Sequence, residues 1–169
     1  ELEEICQNNQ NDAVCLGYLL ILMKGSYEYN DEAKFNEIEE KTKNTITNLK
    51  SSPNFDDFIQ NLSNKHQQLV FGYFYYEGIG VEESFEKAVR LMKLSSDQGH
   101  VLAEYEMAIY HQFGIGVTEN KVSSFEYYMR AAAKGYSRAE FSVGDSYKNG
   151  TGVEKDESLA LEWFKKSAN

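Results

Sequence analysis

The sequence is poor in residues that interrupt a chain, cross-link it or hold it in a membrane. It has one proline and two cysteines in 169 residues. Its most apolar stretch, residues 19–23, is far too short to span a bilayer. The scarcity of cysteine excludes a scaffold held by many disulfides, and no segment is suited to membrane insertion. The one proline, Pro53, lies in a Ser-Ser-Pro-Asn break between two segments with helical patterns.

Basic residues are also scarce. The chain has 17 lysines and arginines against 27 acidic residues, which gives a formal net charge of −10. Residues 1–64 carry −7 of this charge, because 12 acids stand there against 5 bases. Nucleic acids and anionic membranes need basic patches, so neither is an expected partner. The acidity predicts a protein partner with a basic surface, although it would also serve solubility alone.

Residue patterns that carry chemistry are missing as well. The chain has three histidines, none of them in a His-x(3)-His pair, and its two cysteines lack the spacing of a zinc site. Three Gly-x-Gly phrases begin at Gly78, Gly114 and Gly150. They follow helical patterns and have neither a third glycine nor a lysine–threonine ending, so they are not nucleotide-binding loops. The sequence therefore predicts no catalytic residue, no metal site and no cofactor.

One four-residue phrase occurs three times at a single spacing. Its copies lie 36 residues apart and are Gly78-Ile79-Gly80-Val81, Gly114-Ile115-Gly116-Val117 and Gly150-Thr151-Gly152-Val153. Small residues share one position of this register and flat rings share another: Gly72, Ala108 and Gly144, then Tyr75, His111 and Tyr147. A fixed period of this size indicates stacked supersecondary units.

Each copy of the repeat is predicted to be two helices joined by the glycine phrase. Apolar residues in 102–113 recur on one helical face, and the first glycine that follows suits a left-handed C-cap. Ser84, Asn120 and Asp156 share one register position and are residue types that cap helix N-termini. The copies are contiguous, so we expect an all-α protein in which antiparallel helix pairs stack as one array.

These residues resemble the Sel1-like repeat, a relative of the tetratricopeptide repeat. The third copy matches the family pattern best, at Ala139, Gly144, Tyr147, Gly150, Gly152, Val153, Asp156, Ala160, Trp163, Phe164, Lys165 and Ala168. The second copy departs from it at His111 and Ser124, and the first at Gln67 and Ser95-Ser96. The resemblance implies a right-handed α/α solenoid of one domain with repeats at 66–101, 102–137 and 138–169. Members of the family are mostly adaptors and scaffolds.

Residues 1–65 are predicted to form a divergent N-terminal helical capping unit. Cys15-Leu16-Gly17 resembles part of a divergent first helix, and residues 31–49 are predicted to form its partner helix. The inward positions of that partner helix are predicted to be Phe35, Ile38, Thr45 and Ile46. A short helix over residues 55–62 would follow the proline break. Terminal repeats of solenoids are expected to be atypical because one of their faces meets water.

The two cysteines bear on the compartment. Cys6 and Cys15 would bridge the start of the chain to the first helix if they formed a disulfide, which suits an oxidising environment. Two reduced thiols in the cytosol are the alternative. The sequence favours the disulfide, and with it a periplasmic or secreted location over a cytoplasmic one.

A binding face follows from the resemblance. In tetratricopeptide-like stacks the first helix of each repeat lines the concave face. The positions expected to line it here are Tyr73 and Tyr76 in the first copy, Tyr105, Ile109, Gln112 and Phe113 in the second, and Asp145 and Lys148 in the third. Exposed tyrosines make good interface anchors. Leu69, Tyr105 and Phe141, which are apolar or aromatic in every copy, could belong to the core instead.

The main functional prediction is a non-catalytic protein–protein interaction module that binds through the concave face and the acidic N-terminal surface. The alternative is an immunity or inhibitor protein that covers the active cleft of a toxin or effector enzyme; small size, acidity and possible export favour it. A cell-wall-directed hydrolase, an activity of some cysteine-rich relatives, is more remote because the sequence supplies no nucleophile.

Overall fold

The computed structural model describes Gly17 and residues 32–168, with side chains from residue 36 onward. In this part of the chain there are eight helices and no strand: α1 (Glu32–Lys50), α2 (Phe55–Gln60), α3 (Lys65–Glu77), α4 (Phe85–Asp97), α5 (Val101–Phe113), α6 (Lys121–Ala132), α7 (Ser137–Asn149) and α8 (Glu157–Ser167). The all-α prediction is confirmed. The chain forms two compact units, Glu1–Leu91 and Met92–Asn169. None of the eight helices is long and apolar enough to cross a membrane.

The first glycine of each phrase ends a helix, as predicted. Gly78, Gly114 and Gly150 cap α3, α5 and α7 with φ of 67°, 69° and 70°. The N–H of the residue after Gly78 donates to the Phe74 carbonyl at 3.0 Å, which is the long hydrogen bond of a Schellman motif. The same bond follows the other two glycines at 3.0 and 2.9 Å. The three repeats therefore share one C-terminal turn.

The second helix of each repeat begins at the predicted capping residue. Asp156 Oδ1 accepts hydrogen bonds from the N–H groups of Ser158 and Leu159, both at 2.9 Å. Asn120 Oδ1 accepts from the Ser123 N–H at 3.0 Å, and Ser84 Oγ from an N–H of α4 at 3.3 Å. These side chains satisfy N–H groups that have no partner inside the helix. The predicted start of the second helix is confirmed in all three copies.

Residues before the repeats show repeat-like packing within the first unit. Gly17 is helical and buried, and a Cβ there would overlap the side chains of Val70 and Phe74 in α3. Gly80, the second glycine of the first phrase, lies against Ile46 of α1, which is fully buried. Helix α1 thus packs against the glycine turn that follows α3.

The predicted inward face of α1 needs one correction. Thr42 is fully buried and donates to the Ile38 carbonyl at 2.7 Å, whereas Thr45, the expected inward residue, is only half-buried. Ile46 is inward as predicted, Ile38 is half-buried, and the side chain of Phe35 lies outside the described residues. Thr42 lies four residues before Ile46, which is the spacing of one helical face.

The second unit is built from two helix pairs, α5 with α6 and α7 with α8, and α6 also packs on α7. Small residues allow the close approach. One cluster of buried residues in its core consists of Ala108, Tyr128, Ala131, Ala132, Ala139 and Val143. At Gly144 an added Cβ would overlap the ring of Phe164, so α8 lies directly on the α7 backbone. The small residue predicted at this register position is therefore required by packing.

A buried carboxylate ties α5 to α6. The Glu104 side chain is 1% exposed, and its Oε1 accepts from Arg130 Nη2 at 3.0 Å and Nε at 3.1 Å. Lys134 Nζ lies 2.7 Å from Glu104 Oε2. The cations also donate to main-chain carbonyls, Arg130 to Ser96 and Lys134 to Gly99. A buried carboxylate needs such partners because desolvation of an unpaired charge is expensive.

The other copies vary this arrangement in a consistent way. In the third repeat Glu140 is buried at the position of Glu104 and pairs with Lys166 at 3.2 Å. In the first repeat the position holds Gln68, whose amide donates to the Leu62 carbonyl at 2.7 Å, and the position of Arg130 holds Leu94. A buried acid is accompanied by a base on the second helix, and a buried amide by a leucine.

Candidate protein-binding site

The predicted contact residues of the first unit are partly packed. Tyr73 is half-buried and its hydroxyl oxygen is inaccessible to solvent. Tyr76 is also half-buried, and its ring lies 5.7 Å from that of Phe85. Both tyrosine side chains are therefore less exposed to solvent than typical interface anchors, and their role in binding stays a prediction.

In the second repeat the predicted residues divide between core and surface. Tyr105 is half-buried between the rings of Tyr128, at 5.6 Å, and Tyr136, at 5.1 Å. Ile109 is half-buried against the core of the second unit. Phe113, at the end of α5, is 66% exposed. Of the aromatic and aliphatic positions predicted in this helix, Phe113 is the one that is largely exposed.

The third repeat exposes a ring that the sequence left between core and surface. Phe141 shares its register position with Tyr105 and Leu69, yet Phe141 is 58% exposed, whereas Tyr105 is half-buried and Leu69 is fully buried. Phe141 contacts Phe164 at 5.2 Å, as Tyr105 contacts Tyr128. Within the described residues no ring covers Phe141 as Tyr136 covers Tyr105. Burial at this position therefore depends on whether a ring such as Tyr136 covers it.

A small cavity of about 100 Å³ lies beside Phe141 in the second unit. Its walls come from α5, α6, α7 and the turn after α7, and the lining residues are Gln112, Ser124, Tyr128, Phe141, Ser142, Asp145, Ser146 and Thr151. The cavity brings together two residues predicted from different repeats, Gln112 and Asp145. Lys148, predicted with them, is exposed on α7 and is not in the lining.

Hydroxyl groups around the cavity donate their protons to the protein itself. The Tyr128 hydroxyl donates to Gln112 Oε1 at 2.6 Å. The Ser142 hydroxyl donates to the Arg138 carbonyl at 3.0 Å, and the Ser146 hydroxyl to the Ser142 carbonyl at 2.8 Å. Each hydroxyl has one proton and two lone pairs, so these three oxygens offer lone pairs to the cavity.

The electrostatic surroundings of the cavity are negative. Asp145 contributes a carboxylate whose Oδ1 accepts from the Asn149 amide at 2.9 Å. Burial raises the pKa of Tyr128 well above its usual value of 10.0, and negative charge on neighbouring groups, including Glu106 and Asp145, raises it further. Tyr128 is therefore a neutral phenol in the folded protein over the physiological range.

Folding stability should fall in alkaline solution because of Tyr128. In the folded protein Tyr128 holds its proton above pH 10.0, the ordinary pKa that it has when unfolded. Above that pH the folded state binds more protons, so stability is complete below it and is lost as the pH rises. Tyr128→Phe should make the decline shallower. Urea unfolding followed by circular dichroism between about pH 9 and 11.5 measures both slopes, and equal slopes would contradict the assignment.

The sequence model of the Sel1 repeat matches residues 70–100, 101–136 and 137–169. The chain belongs to the Sel1 repeat family. Sel1 repeats are generally modules for protein–protein interaction and typically non-catalytic scaffolds, and the helices described above are consistent with the α-solenoid of this family. The disulfide predicted between Cys6 and Cys15 stays a prediction, because both cysteines lie outside the described residues.

Two solved structures are similar to the chain. A Sel1 repeat protein from Oxalobacter formigenes is 28% identical, with a TM-score of 0.59 over 66% of this chain and 88% of that one. A protective antigen present in uropathogenic Escherichia coli strains, described as displaying an SLR fold, is 23% identical with a TM-score of 0.61. That likeness covers 99% of this chain but 33% of the antigen, and it bears on the fold alone. No curated protein matches this sequence.

Proposed function

We propose that this Sel1 repeat chain binds a partner protein with a basic surface, and that the side chains around the cavity of the second unit make the contact. The exposure of Phe113 and Phe141, 66% and 58%, carries the proposal. Large rings that are exposed in the free protein and flanked by polar groups are typical anchors of an interface. Here the polar groups are Gln112, Asp145 and Lys148.

The charge of the chain supports a basic partner. The net charge of −10 would attract a basic protein over several ångströms and raise its association rate. Asp145 places one acidic group beside Phe141, at the wall of the cavity. The acidic residues of 1–64 add to the attraction, and Tyr73 and Tyr76 are proposed as further contacts made by the first unit.

A capture experiment with matched variants tests the proposal. The chain is immobilised and exposed to an extract of its native source, in parallel with the Phe113→Ser/Phe141→Ser double variant. We expect at least one captured protein to be lost with the double variant and retained with Leu161→Ser. Leu161 is 55% exposed on α8, the second helix of the third repeat, so its variant controls for the loss of exposed apolar surface elsewhere.

The outcome separates the possibilities. Capture that is the same for all three proteins would contradict the proposal, because the exposed rings would then have no part in binding. The captured protein should elute when salt is added, since screening weakens attraction between exposed charges. If the captured protein were an enzyme that this chain inhibits, the result would support the alternative prediction of an immunity or inhibitor protein.

A further inference from the structure

We infer that the cavity beside Phe141 receives the ammonium group of a lysine side chain of the partner. The inference rests on the proposed function and names the group that a basic partner inserts. Three properties of the cavity support it: which hydrogen-bonding groups remain available, the charge and ring at its wall, and its volume.

Hydrogen bonds within the protein leave acceptors along one part of the lining, while the Gln112 amide and the hydroxyls of Ser124 and Thr151 can donate in the rest of it. The hydroxyls of Tyr128, Ser142 and Ser146 all donate within the protein, at 2.6, 3.0 and 2.8 Å, so their oxygens face an incoming group as acceptors. Asp145 is an acceptor alone when ionised. An ammonium group brings three donors and no acceptor, so it can bond to these four groups.

The charge and the ring suit a cation. Asp145 and Phe141 line the same cavity, and Phe141 is 58% exposed, so part of its ring remains accessible beside the contact with Phe164. A carboxylate and an aromatic face both attract a cation, the ring through its quadrupole. Lys148 lies one turn beyond Asp145 on α7, and no ion pair among the described residues joins these two side chains. Asp145 is therefore not neutralised by its neighbour.

The volume distinguishes a side-chain tip from a small-molecule ligand. Ligand pockets usually measure roughly 300–1,000 Å³, whereas this cavity measures about 100 Å³. An ammonium group with its last methylenes is compact and can turn its donors toward acceptors on several sides. The acceptors here belong to different helices, Tyr128 to α6 and Ser142 and Asp145 to α7. A guanidinium is a flat fork that needs acceptors in one plane, so lysine is the better fit.

Titration with capped amino acids tests the inference on the whole chain. The probes are N-acetyl-lysine methylamide and the norleucine analogue, which keeps the methylenes and lacks the charge. We expect the lysine probe, with a dissociation constant on the order of 1–10 mM, to shift the amide resonances of Gln112, Ser142 and Asp145. Norleucine should bind at least about fivefold more weakly, and the lysine probe should weaken by a similar factor on Asp145→Asn.

Matched variants and probes decide the result. Glu162→Gln removes one acidic charge from an exposed residue of α8 outside the lining, so it should leave lysine binding unchanged. Equal shifts by lysine and norleucine, or equal weakening by Asp145→Asn and Glu162→Gln, would overturn the inference. Stronger binding of N-acetyl-arginine methylamide would overturn the choice of lysine.

The inference can fail while the proposed function stands. If the capture experiment yields a partner whose binding depends on Phe113 and Phe141, the proposed function holds whatever the titration shows. The exposed lysines of that partner can then be replaced one at a time by methionine. We expect one replacement to weaken binding at least about tenfold, and this loss should disappear when it is measured against Asp145→Asn. Additive effects of the two changes would overturn the inference.

Discussion

Removal of both cations that face Glu104 is expected to lower the free energy of unfolding by about 3–5 kcal/mol. The double variant Arg130→Leu/Lys134→Gln would leave a carboxylate that is 1% exposed without either of its bases. The loss is large because the buried anion has given up its hydration and would then have no opposite charge. Arg130 and Lys134 themselves are 44% and 38% exposed, so the effect comes from the carboxylate they leave behind.

Adding Glu104→Gln to the double variant should restore most of this stability. The resulting set of Gln, Leu and Gln is the one that the first repeat carries at Gln68, Leu94 and Gln98. A neutral amide can be buried at a lower cost than an unpaired charge, as Gln68 is, with its amide bonded to the Leu62 carbonyl. The repeat itself thus supplies the sequence of the compensated variant.

Urea unfolding followed by circular dichroism gives the free energies of the wild type and of the double and triple variants. Glu104→Gln alone should lose less than the double variant, since the two cations that remain can turn toward water. Lys166→Leu is the matched comparison in the third repeat, where Glu140 is 5% exposed and has one lysine at 3.2 Å. A triple variant no more stable than the double variant would contradict a penalty that comes from the buried charge.

The helical hairpins could be predicted from the sequence because their signals are local. The glycine at each C-cap and the Ser, Asn or Asp at each N-cap satisfy groups in their own turn, so a single repeat contains the information. The pairing of Glu104 with Arg130 is different. Those residues are 26 apart, and they meet because two helices of one repeat lie side by side. Nothing in the sequence of either helix indicates the pairing, although the parallel change to Gln68 and Leu94 is a trace of it.

The sequence carries less information about the candidate site, for a related reason. The register placed Gln112 and Asp145 among the predicted contact positions, and both line one cavity in the structure; their role in binding stays a prediction. It could not tell Tyr105 from Phe141, since the difference in their exposure depends on whether Tyr136 covers the ring. The acceptor character of the cavity also lay beyond prediction, because it depends on where each hydroxyl donates its proton.

Gly152→Ala is expected to destabilise the second unit by roughly 3 kcal/mol, the sum of two penalties. Gly152 has φ of 73°, a left-handed conformation that an alanine adopts at a loss of about 1–2 kcal/mol. In addition, a Cβ at this position would overlap the carbonyl group of Lys121 at the start of α6. Backbone atoms cannot rotate away as a side chain can, so the turn and α6 would have to move apart.

Gly135→Ala separates the two penalties. Gly135 has φ of 81°, and a Cβ there would meet nothing within 4 Å, so this variant carries the conformational penalty alone. Gly150→Ala, with φ of 70° and ordinary contacts around the added carbon, is a second control in the same turn. Urea unfolding should show losses of about 1–2 kcal/mol for both controls. A loss of stability for Gly152→Ala no larger than that of the two controls would contradict the steric penalty, because the Lys121 carbonyl would then move away from the added Cβ without cost.

The comparison bears on why the phrase carries two glycines. The first glycine caps a helix, which local sequence explains, and its neighbourhood has room for a side chain. The second glycine lies against an earlier helix that is not its own neighbour in the chain: Gly152 contacts Lys121 of α6, and Gly80 contacts Ile46 of α1, within their respective units. If Gly152→Ala is the more damaging change, the second glycine is a contact between successive helix pairs. The 36-residue period then marks a packing surface as well as a turn, which accounts for the second glycine in the first and third copies.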